Sequence, residues 1–195
     1  MASAVSPPSH SPPELRAVGS AERALIVFRW VSLASMVINL LLNLERTAGR
    51  SPQLAGAAVA AVAVWTVYLN RRPVPPRGLV LAADVAIGGA LLLLSGWVMP
   101  PGTVGTGSTL LSVTYHACAV LSAGAAYGPI GGALAGAVMG ACHVFVRIVN
   151  GTPFNGEVLS RWPSMTGLLL LGLFFGVIAN LLRRSSEEAQ LATSE

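Results

Sequence analysis

Long apolar runs alternate with short polar breaks along this chain of 195 residues. A helix needs roughly 20 apolar residues to cross the hydrocarbon core of a bilayer, and about 17–25 are tolerated. The runs do not alternate in polarity as membrane β-strands do, as the four leucines of 91–94 show. The pattern therefore predicts an all-α integral membrane bundle of about six transmembrane helices, at 24–44, 52–69, 79–99, 108–127, 129–149 and 164–182.

Composition excludes most soluble classes. Only 10% of the residues are charged and 53% are hydrophobic, whereas soluble domains carry about 25% charged residues. The net charge of +4 does not indicate nucleic-acid binding, because all the basic residues are arginine and most lie between apolar runs. In a membrane protein such residues set the orientation. The absence of lysine is typical of a GC-rich bacterial genome.

The distribution of arginine predicts that both termini are cytoplasmic. With that orientation, eight arginines lie on the inner side and four on the outer side, as the positive-inside rule requires. We expect a disordered cytoplasmic tail over 1–23, a transmembrane domain over 24–182 and the start of a cytoplasmic signalling helix over 183–195. The predicted location is the bacterial plasma membrane, with the lipid bilayer as the first partner. The inner arginines are Arg16, Arg23, Arg29, Arg71, Arg72, Arg77, Arg183 and Arg184, and the outer ones are Arg46, Arg50, Arg147 and Arg161.

Two charges inside the apolar runs predict an intramembrane ion pair. Arg29 and Asp84 each lie about five residues past the start of a helix that enters from the cytoplasm. At 1.5 Å per residue both would lie roughly 8 Å deep. Intramembrane charges are costly and usually paired, so we expect Arg29 to bind Asp84. The alternative is that Arg29 reaches the inner headgroups while Asp84 faces a wet cleft.

Three other polar residues are candidates for sensing. His116 lies in the fourth predicted helix, and His143 and Arg147 share a face of the fifth because they are four residues apart. A histidine titrates near pH 6.5, so a pH or anion sensor is one hypothesis. Hydrogen bonding to neighbouring helix carbonyls is the other. We expect no metal site, because His116 and Cys118 point to opposite sides of a helix.

Glycines recur every four residues in the fifth run, at Gly128, Gly132, Gly136 and Gly140. This spacing places them on one side of a helix, where another helix can approach closely. Helix packing is the favoured interpretation, and a ligand groove along the glycines is the alternative. Gly172 and Gly176 repeat the spacing in the sixth run.

The sequence contains no Walker loop, no G-x-S-x-G elbow and no H-E-x-x-H motif. We therefore expect no catalytic residue and no cofactor in this chain. The order of its motifs resembles the membrane sensor region of MacS-family sensor histidine kinases, over about residues 22–192. The matching segments are RALIVFRW (23–30), LNLER (42–46), RP (72–73), ADVA (83–86), YGPIGG (127–132) and LLRR with the following EE helix (181–188).

The resemblance implies the input module of a two-component system, which passes a membrane or extracellular signal through the sixth helix. It also implies a homodimer, a cytoplasmic kinase domain in cis or in trans, and a response regulator. The three histidines, including His10, do not match the family's phosphoacceptor, so we expect no kinase activity from this chain alone. A vitamin-type transporter subunit is the alternative, because such subunits often carry a helix resembling residues 128–136. A structural helper protein is a third possibility.

Overall fold

The computed structural model describes residues 13–44, 52–71, 77–102, 104, 114–151 and 163–194. Five helices account for nearly all of these residues, and no strand occurs among them. Each helix is long and apolar enough to cross a membrane. The prediction of an all-α membrane bundle is therefore confirmed. The helices are α1 (Pro13–Leu42), α2 (Pro52–Arg71), α3 (Arg77–Val98), α4 (Tyr115–Val149) and α5 (Pro163–Ser194).

The first helix begins earlier than the sequence pattern predicts. We expected disorder over 1–23, whereas the structure describes a helix from Pro13 onward. Proline is favoured at the first helical position, and the Glu-Leu-Arg-Ala that follows consists of good helix formers. Residues 1–12 lie outside the described part of the chain.

Helix α4 folds back on itself. It has 35 residues and would be about 52 Å long if straight. Gly128 has non-helical torsions inside it, with φ 70° and ψ −157°. The ring centroids of His116 and His143 are only 5.0 Å apart, although a straight helix would separate these residues by about 40 Å. Residues 115–127 and 129–149 therefore form two antiparallel arms, which we call arm A and arm B.

The turn at Gly128 corresponds to the predicted break between the fourth and fifth runs. Arm A begins at Tyr115, and residues 108–113 of the predicted fourth run lie outside the described residues. At roughly 1.5 Å per residue arm A is about 20 Å long, which is short of the ~30 Å hydrocarbon core. Five helices of spanning length are thus present in the described chain, and a sixth crossing stays a prediction.

Helix α5 packs along the turn and both arms through glycine. A side chain added at Gly136 would come 2.6 Å from the backbone oxygen of Leu168, and one added at Gly176 would come 2.5 Å from the backbone of Gly128. Gly132 faces Gly172 even more closely. Without side chains at these positions the backbones can touch, so the glycine repeats of α4 and α5 form the tightest helix contact among the described elements.

The outer surface of the bundle is apolar. Large side chains such as Ile130, Trp97 and Phe174 are 74%, 73% and 67% exposed. An exposed apolar surface of this kind is unfavourable in water but suits the hydrocarbon of a bilayer. Several polar side chains are instead buried inside the bundle, among them Arg29, Asp84 and Asn150.

Candidate functional site

Among the residues that the structure describes, a single carboxylate lies at the centre of the largest group of interacting polar side chains. Asp84 on α3 is fully buried, and its Oδ2 forms an ion pair with Nη2 of Arg29 on α1. Its Oδ1 accepts a hydrogen bond from the indole Nε1 of Trp65 on α2 at 2.9 Å. The same oxygen accepts a longer one, 3.4 Å, from the hydroxyl of Tyr115 in arm A. Donors from three other helices therefore converge on Asp84.

A second set of contacts extends the group along α1 and arm A. Nη2 of Arg29 also donates to Oγ of Ser122 at 3.3 Å. The Sγ of Cys118 lies 3.6 Å from Oγ of Ser32. The Nε of Arg29 is buried and has no hydrogen-bond partner among the described residues. We call this group the polar cluster, and its members are Arg29, Ser32, Trp65, Asp84, Tyr115, Cys118 and Ser122.

The polar cluster acts as a cross-link between four helices. A lone charge buried in a low-dielectric interior is very costly, and pairing with full hydrogen bonding offsets that cost. Asp84 gains three donors, whereas Arg29 gains one carboxylate and one hydroxyl. Moving one of these helices away from α3 would leave a buried polar group unpaired. The relative positions of α1, α2, α3 and arm A are therefore coupled at this point.

The sequence predicted the contact between Arg29 and Asp84 and missed the other contacts of the polar cluster. The structure brings Arg29 and Asp84 together, with Arg29 only 7% exposed rather than extended toward headgroups. The indole of Trp65 donates to Asp84 and its ring stacks on Tyr68, and the sequence pattern predicted neither contact. Tyr115 gave no signal, because the rotation of a helix that is apolar all round cannot be read from its sequence.

Two of the three candidate sensing residues, His116 and His143, meet between the two arms of α4. The rings of His116 in arm A and His143 in arm B meet edge to face. Arg147 is buried one turn beyond His143. The contact of the two rings therefore joins arm A to arm B. Among the described residues, no group of three or more His, Cys, Asp or Glu side chains could hold a metal ion.

An asparagine at the end of arm B holds the loop that follows α3. Nδ2 of Asn150, which is 4% exposed, donates to the backbone oxygens of Gly96, Met99 and Pro100 at 3.0–3.2 Å. Its Oδ1 accepts from the backbone nitrogen of Val104 at 3.2 Å. These carbonyls lie at the C-terminal end of α3, where no further N–H donors of the same helix are available. Asn150 thus fastens α3 to arm B at the end of the hairpin opposite Gly128, and the sequence pattern did not single it out.

The packing glycines are placed as the sequence indicates. Gly128, Gly132 and Gly136 line the contact with α5, and Gly140 is also buried. The would-be side chains of Gly132 and Gly136 would collide with the backbone of α5. The backbone of α5 therefore occupies the groove along the glycines of arm B, which favours helix packing over a ligand groove.

No protein-family model, no curated protein and no solved structure matches this chain.

Proposed function

We propose that this chain is the membrane-embedded input module of a bacterial two-component histidine kinase. A stimulus in or at the membrane shifts the hairpin of α4, and α5 carries the displacement to a cytoplasmic kinase and its response regulator. The proposal places both termini in the cytoplasm of a plasma-membrane homodimer. It rests on the resemblance to MacS-family sensors and on the architecture of α4 and α5.

The observation that carries the proposal is the contact between the hairpin and α5. The two meet backbone to backbone at the glycines, without flexible side chains between them. Packed interfaces of this kind shift between discrete arrangements rather than deform gradually. A change in the hairpin would therefore move α5 as a rigid rod.

The length of α5 supports the same function. Its apolar segment is Thr166–Ser185, but the helix continues without interruption to Ser194. The 32 residues make a rod of about 48 Å, whereas the hydrocarbon core is ~30 Å thick. The polar end, with Glu187 and Glu188, is helical and extends past the apolar segment. Such an extension can transmit rotation or displacement to a domain outside the bilayer.

The polar cluster holds arm A in place while α5 moves. It fixes arm A to α1, α2 and α3 through Asp84. The hairpin is thus fastened to the first three helices on one side and to α5 on the other. Signals that alter the packing of these helices reach α5 chiefly through the hairpin, because α5 packs mainly against the hairpin and touches α1 at far fewer positions.

A chimera tests this function. Residues 1–195 are fused in helical register to a soluble histidine-kinase core, and autophosphorylation is measured in vesicles. One to four alanines are then inserted at the junction, which turns the kinase by about 100° per residue. We expect the rate of autophosphorylation to oscillate with the number of alanines and to return toward the starting level after three or four insertions. Output that is flat across the series contradicts the proposal, as does co-purification of the native protein with a transport ATPase.

A further inference from the structure

The turn of the α4 hairpin leaves a backbone oxygen without its helical donor. In a helix the carbonyl of residue i accepts from the N–H of residue i+4. For Ala125 that residue is Pro129, which has no N–H. The non-helical torsions of Gly128 also end the regular pattern at this point. An unsatisfied carbonyl is unfavourable wherever water cannot reach it.

Arg183 of α5 supplies the missing donor. Its Nη2 donates to the backbone oxygen of Ala125 and lies 3.4 Å from that of Ala126. A guanidinium at the C-terminal end of a helix is also favoured by the helix dipole. Arg183 lies about two turns beyond Gly176, whose backbone packs on the turn at Gly128. The glycine contact and the arginine contact therefore fix the same stretch of α5 to the same turn.

We propose that Arg183 is a latch that ties the exit segment of α5, residues 183–194, to the turn of the hairpin. While its guanidinium caps arm A, the exit segment keeps one position relative to the turn. When the bond is broken, only the glycine contact at Gly176 holds α5 to the turn, and the exit segment can shift or rotate relative to the turn. The inference deepens the proposed function, because it assigns the regulation of the same transmission helix to one residue.

The neighbouring arginine is a matched control. Arg183 and Arg184 are adjacent, carry the same charge and contribute equally to the positive-inside rule. They point about 100° apart around the helix, and Arg184 is exposed. A role that depends only on membrane orientation would be shared by both residues, whereas the latch belongs to Arg183 alone.

The test measures the distance between the turn and the exit segment with spin labels. The labels are attached to cysteines introduced by Tyr127→Cys and Leu191→Cys, at two positions that are both exposed. The full-length protein also carries Cys118→Ala and Cys142→Ala and is reconstituted in lipid. For the unsubstituted arginines we expect one narrow distance distribution. Arg183→Gln should broaden or shift it, and Arg184→Gln should leave it unchanged.

A lysine variant and a folding control complete the test. Arg183→Lys retains the charge and a donor but loses the planar guanidinium, so it should restore most of the narrow distribution. Thermal unfolding shows whether Arg183→Gln still folds; if it does not, Arg183→Met, which keeps a long side chain but has no donor, takes its place. An unchanged distribution in the variant that lacks the donor overturns the latch, and so does equal broadening with Arg184→Gln.

The outcome is separable from that of the kinase chimera. The distance measurement does not depend on any signalling output. If the label distance responds to Arg183→Gln while the chimera ignores alanine insertions, the latch stands and the proposed function fails. If the chimera oscillates while the label distance is unaffected, the proposed function stands and the latch fails.

Discussion

Replacing Asp84 with asparagine is the sharpest perturbation of the polar cluster. Asparagine has nearly the same shape, and its one oxygen can still accept from Trp65 and Tyr115. What is lost is the negative charge that faces Arg29. The amide nitrogen would also present a donor to a guanidinium that has only donors. The effect of Asp84→Asn is therefore concentrated on the ion pair.

The expected loss of stability follows from the burial of Asp84 and Arg29. Asp84 is 0% exposed and Arg29 is 7% exposed, so water cannot solvate the charge that remains. Removing one partner of a buried pair costs about 3–5 kcal/mol. We expect about that loss for Asp84→Asn and for Arg29→Gln. The double variant carries neither charge, so it should be no less stable than the worse single variant.

The assay is reversible unfolding in mixed micelles, with helix content followed by circular dichroism while the fraction of denaturing detergent rises. The double-mutant cycle should give a coupling of at least about 1.5 kcal/mol, since close charge pairs measured in this way give about 1.5–7 kcal/mol. Exchanging the charges, Arg29→Asp with Asp84→Arg, should not restore stability. Trp65 and Tyr115 would then direct their donors at a guanidinium. Additive costs in the cycle would refute the reasoning.

Three further substitutions have defined outcomes in the same unfolding assay. Gly136→Ala should destabilise the protein by about 1–3 kcal/mol through overpacking, because the added carbon would lie 2.6 Å from a backbone oxygen of α5. Its control is Gly167→Ala, which should be neutral or stabilising because the added carbon would meet no atom within 4 Å. Gly128→Ala should cost about 1–3 kcal/mol through its torsions alone, because its surroundings are open, and Gly56→Ala, which is also open but helical, should not. Asn150→Ala should cost about 1–3 kcal/mol, since it strips its buried backbone partners of a donor and an acceptor; an unchanged midpoint would show that the loop after α3 is held by other contacts.

The features that the sequence predicted depend on length and depth. Apolar run length fixes which segments can cross a bilayer, and the rise per residue gave Arg29 and Asp84 a common depth. The four-residue spacing of the glycines fixed a shared face. Each of these quantities is local to one helix, so each is readable from a single chain.

The features that the sequence missed depend on how helices turn and meet. Trp65 and Tyr115 join the polar cluster only because α2 and arm A are rotated toward Asp84. Asn150 binds backbone atoms of α3 that are distant in sequence. One signal was present but unused: Pro129 removes the N–H that would serve Ala125, so a donor from another helix was required.

The account depends most directly on the fold-back of α4 at Gly128. Spin labels at Ala117 and Phe145, measured in lipid after replacement of both cysteines, report on it without reference to function. A hairpin places the two labels within about 20 Å, whereas a straight α4 would separate them by about 42 Å. We predict a distribution centred on the shorter distance. A distribution centred near the longer one would contradict the hairpin, its packing on α5 and the signalling path built on them.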